Sequence, residues 1–330
     1  APGNTNFVWQ IGSARLQMEE AIVAANQIAG KPPIRRSLRR IPMSSNRKTA
    51  IIFFAPFFIL FCIFIVGPVV QSIIISLTNY DLIQGAKFVG LNNYKLLFMD
   101  DEIFMIALKN TLVFACIAGP AGYLASFIMA WVLDGLKFRT LFALAFYAPS
   151  ITSGVAMSVV WLYFFSPDRY GLINNFLINS GIISSPILWN QDPTTILPVS
   201  ILIQIWMSMG TGFLVFMAGL KNVQKELYEA AAIDGLKSRF QELYYITLPQ
   251  MKPQLLFGAI NTIAGSFGVF DIIVSFAGMP TPNYAGHTIV AHLYDYAFIK
   301  FEMGYASAIA VVLFVMTFVI GRFFMWLLRD

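Results

Sequence analysis

The sequence predicts an all-α integral membrane protein with six transmembrane helices, and three observations lead there. Of 330 residues, 58% are hydrophobic and 12% charged, and the mean hydropathy is +0.69. Six nearly uncharged apolar runs, at 49–80, 110–133, 140–167, 193–220, 253–277 and 303–321, are each long enough to cross a bilayer as a helix. The runs are continuous and do not alternate residue by residue. Hydrocarbon offers no water to pair backbone amides, so continuous runs mean helices and not a barrel.

Lysine and arginine set the orientation. With the N-terminus in the cytoplasm, six crossings leave only Lys87, Lys95, Lys109, Arg169 and Lys300 of the 22 basic residues outside. That is the bias the positive-inside rule produces, and both termini are therefore expected in the cytoplasm. The net charge of +5 sits beside the spans, where anionic lipid accounts for it, which argues against nucleic-acid binding. Cys62 and Cys116 lie within apolar runs, where a reduced thiol behaves as a small hydrophobe; neither a disulfide nor a metal site is implied.

Residues 1–48 form an extension unlike the rest, and 49–330 the six-span domain. In the extension Ser13 can cap a helix whose apolar positions are Met18, Ala21, Ile22, Ala25 and Ile28, ended by Gly30 and Pro32-Pro33. A basic run, 34–48, leads into span one. Pro56 and Gly67-Pro68 predict a kink or early break in that span. The outside loop 81–109 carries the turn-like VGLNNY at 89–94, and the outside loop 166–192 is rich in Gly, Asn, Ser and Pro; each fits a partner-facing surface and a solvated connection equally. Spans two and three are joined by the short turn 134–139.

Between spans four and five the cytoplasmic loop 221–252 is far longer, and its segment 226–249 reads ELYEAAAIDGLKSRFQELYYITLP. Three alanines favour helix up to Asp234, and Gly235 stands where a left-handed cap would end it. Leu236, Phe240, Leu243 and Tyr244 then fall on one helical face, Pro249 closes the second helix and Pro253 opens span five. Small side chains with Glu226, Glu229 and Asp234 beside them suit a helix laid into another protein's groove. An amphipathic loop resting on the membrane or on its own bundle fits the same local signals.

EAAAIDG at 229–235, followed by ITLP at 246–249, resembles the signature loop of the membrane subunits of binding-protein-dependent ABC importers. With LYEAAAIDG at 227–235 and SFGVFDIIVSFAGMPTP at 266–282, the chain is similar to the carbohydrate branch of that family over roughly residues 50–330. The resemblance implies the type I importer permease fold with a cytoplasmic coupling helix. Glu229, Ala230, Ala231 and Gly235 would dock on a separate ATPase, with Glu229 facing polar groups, the alanines allowing close approach and Gly235 making the turn. It also implies a second permease subunit, two copies of an ATP-binding subunit that use ATP and Mg, an extracytoplasmic solute-binding protein, and a place in a prokaryotic cell membrane. One departure stands out: ten residues, 236–245, separate Gly235 from Ile246 where the family has about nine, and one added residue turns a helix by about 100 degrees.

The chain has no Gly-x-x-x-x-Gly-Lys-Ser/Thr loop, so any ATP hydrolysis belongs to a partner, and no cofactor is expected on this chain. Ionisable residues are missing from the first four runs and the last, and only Asp271 stands within an apolar stretch, which speaks against the alternative of a secondary transporter or channel. A sugar path needs amides, hydroxyls and aromatic faces. Span four offers Gln204, Trp206, Ser208 and Thr211; span five offers Asn261, Ser266, Phe267, Phe270 and Asp271. Trp206 and Phe267 equally suit helix packing, Ser208 and Thr211 can bond their own backbone, and Asp271 can pair with a neighbouring helix. His287 and His292 have no third ligand near them in sequence, so no metal site is expected, and no catalytic constellation suggests an enzyme.

Overall fold

The computed structural model describes residues 43–83, 85–136, 139–152 and 154–327. The helix expected after Ser13 and most of the basic run lie outside them. The chain divides into two units after Ile65.

In the first unit helix α1, Met43–Phe61, continues through Pro56. From Ala50 onward it is apolar all round, and Phe53, Phe54, Phe57 and Phe58 are all exposed, as on a helix whose solvent is hydrocarbon. A π-helical turn, Cys62–Val66, comes just before α2, Gly67–Ile75, whose first two residues are the Gly67-Pro68 pair. Proline lacks an amide hydrogen and its ring crowds the carbonyl four residues back, so the hydrogen-bond ladder slips locally.

The second unit is arranged around one long helix. After α3, Asn92–Met99, helix α4 runs from Glu102 to Asp134, 33 residues or about 50 Å. Asp101 caps it by accepting the Phe104 amide at 2.8 Å. Beside larger residues such as Phe114 and Phe127, its buried face carries small ones at Ala107, Thr111, Ala115, Gly119, Gly122, Ser126 and Ala130, spaced by three and four residues. Small side chains at that spacing let neighbours approach closely, which is how helices associate where water cannot drive them together. Accordingly α8 (Pro193–Ser208), α9 (Thr211–Asn222) and α13 (Lys252–Phe267) all pack along α4. A Cβ on Gly122 would meet the Ser208 hydroxyl and one on Gly119 the Ser266 hydroxyl.

Among the described residues five helical runs are long and apolar enough to cross a membrane: Thr49–Ile75, Glu102–Asp134, Pro193–Asn222, Lys252–Ala277 and Met303–Leu327. The expected third span is not one helix. It is built as α5, Arg139–Ile151, and α6, Gly154–Phe164, each too short to span alone. Spans four and five are also interrupted: α8 gives way to α9 at Met209–Gly210, and α13 to α14 (Asp271–Ala277) at Gly268–Phe270. The carbonyls freed at these two breaks are paired from neighbours, Ser126 Oγ donating to Ser208 O at 2.9 Å and Thr288 Oγ1 to Val269 O at 3.0 Å. Interrupted helices are tolerated at membrane depth only when such partners exist.

The loop 166–192 is folded, contrary to a plain solvated connection. Helix α7, Leu172–Asn179, carries the fully buried Asn174, whose amide donates to the Ser166 and Ile187 carbonyls and whose oxygen accepts the Trp189 indole. The chain ends with α15 (Ile289–Tyr294) and the apolar α16 (Met303–Leu327), which packs on α13 and α15.

Candidate functional site

The loop between spans four and five contains α10, Lys225–Ile233, capped by Asp234. Gly235 has φ +97°, its amide donates to Ala232 O at 3.2 Å, and the Leu236 amide donates to Ala231 O at 3.0 Å. This pair of bonds is the Schellman ending, which needs a left-handed residue at the position Gly235 holds. The local signals of the sequence thus produce the expected helix and turn. Leu227, Tyr228, Leu243, Ile246 and Leu248 pack against a buried cluster of Phe127, Leu133, Phe213, Phe216 and Met251. The face of α10 turned away from that cluster presents Glu226, Glu229 and Ala230, with Ile233 87% exposed; Ala231 is half-buried.

The second arm differs from expectation. Leu236, Phe240, Leu243 and Tyr244 do not share one buried face, for Phe240 and Tyr244 are exposed. A capping box between Ser238 and Gln241 starts α11, Arg239–Glu242, so Leu236 stays in the turn. The added residue has a structural counterpart as well. Residues Leu243–Thr247 form a π turn in which the Leu248 amide reaches back to Leu243 O. A π turn takes up one residue more than an α turn, so the tenth residue is absorbed locally before α12, Leu248–Gln250. Tyr228 and Thr247 then tie the two arms by a 2.8 Å hydroxyl contact.

Of the expected path residues, two groups separate. Ser208 and Ser266 bond their own helices, donating to Ile205 O at 2.7 Å and Thr262 O at 2.8 Å, and Ser266 and Phe267 are buried in packing. Gln204 and Trp206 are half-buried on α8, Asn261 is exposed on α13, Phe270 is half-buried against Tyr294, and Asp271 is exposed at the start of α14. Thr211 opens α9 directly after the Gly210 break; its side chain lies outside the described residues. The breaks at Gly210 and Gly268 therefore sit inside the two stretches that supplied the candidates. No cation pairs with Asp271 among the described residues. Trp161, which the sequence did not single out, stands edge-on to Trp206 with centroids 4.9 Å apart and lines a small cleft with Asp271, Met157 and Met207. Its indole nitrogen is buried without a partner among the described residues.

The far end of α4 holds a second polar centre that sequence reasoning missed. His292 Nε2 lies 2.9 Å and the Tyr305 hydroxyl 2.7 Å from Asp101 Oδ2, and His287 Nε2 lies 3.3 Å from His292 Nδ1. With Asp101 ionised, His292 donates through Nε2 and accepts from His287, which leaves His287 Nδ1 a bare nitrogen. That atom is buried and unpartnered among the described residues. Burial pushes His287 down to about 4 and lowers His292 despite the carboxylate beside it. Burial works to raise Asp101, but the Phe104 amide, Tyr305 and His292 outweigh it, and the carboxyl falls below its ordinary value. Asn110 donates to the Tyr284 and His287 carbonyls, and Thr111 Oγ1 accepts the Ile289 amide. The arrangement fastens the segment between spans five and six onto α4. Among the described residues no group of three or more His, Cys, Asp or Glu is placed to hold a metal.

Interrupted apolar helices packed around one long helix, with one face of α10 turned away from them, describe a multi-pass membrane protein. Residues 118–330 match the family described as binding-protein-dependent transport system inner membrane component, and the chain belongs to that family, the permease subunits of ABC importers. It is 36% identical over 269 residues to the probable ABC transporter permease protein YesP of Bacillus subtilis (strain 168), covering 80% of this chain and 84% of that protein. It is 32% identical over 282 residues to the arabinooligosaccharides transport system permease protein AraP of the same organism, covering 84% and 87%. A 31% match over 276 residues to the lactose transport system permease protein LacF of Rhizobium radiobacter covers 82% and 90%. In fold it is similar to a chain of a bacterial ABC transporter involved in the import of the acidic polysaccharide alginate, with a TM-score of 0.73 over 87% of this chain and 98% of that one at 23% identity.

Proposed function

We propose that this chain forms half of the translocation pathway of an ATP-driven carbohydrate importer and takes its energy through the loop 221–252. The observation that carries the reading is the outward face of α10, with Glu229 and Ala230 presented beside the exposed Ile233 and the Schellman turn at Gly235. An exposed apolar and acidic helix face on an otherwise anchored loop is suited to a groove on another protein. That partner is an ATP-binding subunit, present in two copies, which uses ATP and Mg. The relatives' printed substrates, arabinooligosaccharides and lactose, support a sugar as cargo. The alginate transporter solved with a pentasaccharide-bound periplasmic protein supports a solute-binding protein as the outer partner.

The bias of the basic residues supports both termini and this loop in the cytoplasm and the Asp101 centre on the outer side of a prokaryotic cell membrane. Residues 1–48 are an extension to a permease domain of 49–330, which pairs with a second, different permease subunit. Closure of the ATPase pair draws the coupling helix inward and opens the path outward; hydrolysis reverses it. Gln204, Trp206, Asn261, Phe270 and Asp271 line the path near the breaks in spans four and five. Co-purification tests the reading: Glu229→Lys and Gly235→Arg should release the ATPase while both permeases remain together. An ATPase that stays bound in both variants, with unchanged transport, would refute it.

A further inference from the structure

Besides its covalent ends and its apolar packing on the bundle, the loop makes a polar contact with the end of α4. Arg239 Nη2 donates to Trp131 O at 2.9 Å, and its guanidinium lies 5.0 Å from the Trp131 ring centroid. Phe240, the next residue, sets its ring 5.2 Å from the same indole. Trp131 belongs to the last turn of α4, whose carbonyls have no partners within the helix and carry the negative end of its dipole. A planar cation answers both needs at once, bonding the carbonyl through an edge and covering the indole with a face. The next turn of chain is shaped to admit it, for a Cβ built on Gly135 would fall 2.5 to 2.7 Å from three guanidinium atoms. A cavity of about 380 Å³ opens beside the contact, lined among others by Trp131, Asp134, Tyr228 and Arg239, so the guanidinium is the directional polar contact at its rim.

We infer that Arg239 is a positioning residue that bolts the second arm of the coupling loop to span two, so that motion of the loop reaches α4 directly and through it the helices packed along it. Without this contact a displaced loop acts on α9 and α13, to which it is covalently joined, and reaches α4 only through the non-directional apolar packing of residues such as Leu227 and Leu243 around Phe127 and Leu133. With it, the helix that packs on α8, α9 and α13 is gripped at its cytoplasmic end. The capping box at Ser238 and the π turn at Leu243–Thr247 hold Arg239 in phase on one side and the Pro249 end on the other. This inference rests on the loop being the coupling element.

The test uses the complete importer with its binding protein in proteoliposomes and reads sugar moved per ATP hydrolysed. Arg239→Ala is expected to keep the ATPase bound and hydrolysing while the transport ratio falls roughly fivefold or more, the lower range of energetic coupling between sites. Arg239→Lys keeps the charge but not the planar fork, and should recover only part of the ratio. Gly135→Ala should lower it by displacing the guanidinium, and should add nothing in an Arg239→Ala background. If Arg239→Ala yields too little complex, Gly135→Ala is compared in the native chain and in the Arg239→Lys background, and a loss that is equal in both is general damage and overturns the assignment. An unchanged ratio in Arg239→Ala also overturns it while leaving the coupling loop intact. Retention of the ATPase by Gly235→Arg in the same preparation would instead sink the underlying reading.

Discussion

Replacing Asp101 by Ala removes three contacts made by one side chain. The Phe104 amide at 2.8 Å loses its cap, which costs about 1 kcal/mol. His292, 1% exposed, and Tyr305, 8% exposed, each lose the acceptor that satisfies them. A buried donor left unpaired costs about 1 to 3 kcal/mol. A cavity of about 480 Å³ adjoins Asp101 and Tyr305 and gives water access to the tyrosine, which favours the lower end of that range. The expected total is about 3 kcal/mol, or a fall in melting temperature of about 6 to 12 °C. Intrinsic-fluorescence melting of the detergent-purified complex measures it, with Asp101→Asn expected between wild type and Ala because one acceptor oxygen remains. A shift within about 2 °C for Asp101→Ala would show that the centre does not fasten the outer loop to α4.

The same centre predicts acid lability. His287 is held at about 4 in the folded protein against an ordinary value of 6.5, so as pH falls the unfolded chain takes up the proton first. Its contribution is fully present above pH 6.5, declines between 6.5 and about 4, and totals about 3 kcal/mol. Melting temperatures at pH 7.5 and pH 5 should diverge in the native complex and converge in His287→Leu; an equal slope in the variant counts against this assignment. Asn174→Ala should open the loop 166–192 to proteolysis between Ser166 and Asp192, because at least three half-buried partners lose their bonds to this buried amide; cleavage at the wild-type rate would count against its role. Asp271→Ala and Gln204→Ala should weaken sugar-stimulated ATP hydrolysis with assembly intact, and wild-type uptake in both would place the path elsewhere.

Much of the site was legible before folding was considered, because its determinants are local. The helix of 225–233 follows from its alanines, and the turn after it from the one residue type that takes φ +97° without strain. The interrupted spans were less legible. Gly210 and Gly268 are ordinary letters in an apolar run, and each becomes a break only because Ser126 and Thr288 from elsewhere accommodate the freed carbonyls. The serines at 208 and 266 read as polar path residues, and the structure turns both into helix contacts against the glycines of α4.

By itself the sequence determined the all-helical membrane class and the Gly235 turn, since hydropathy and backbone preference act over a few neighbouring residues. The tertiary structure alone decided the pairing of Asp101 with His292, 191 residues apart, the seating of Arg239 on Trp131, 108 apart, and the meeting of Trp161 with Trp206. Such contacts are set by which helices pack together and at what height, and no spacing along the chain encodes that.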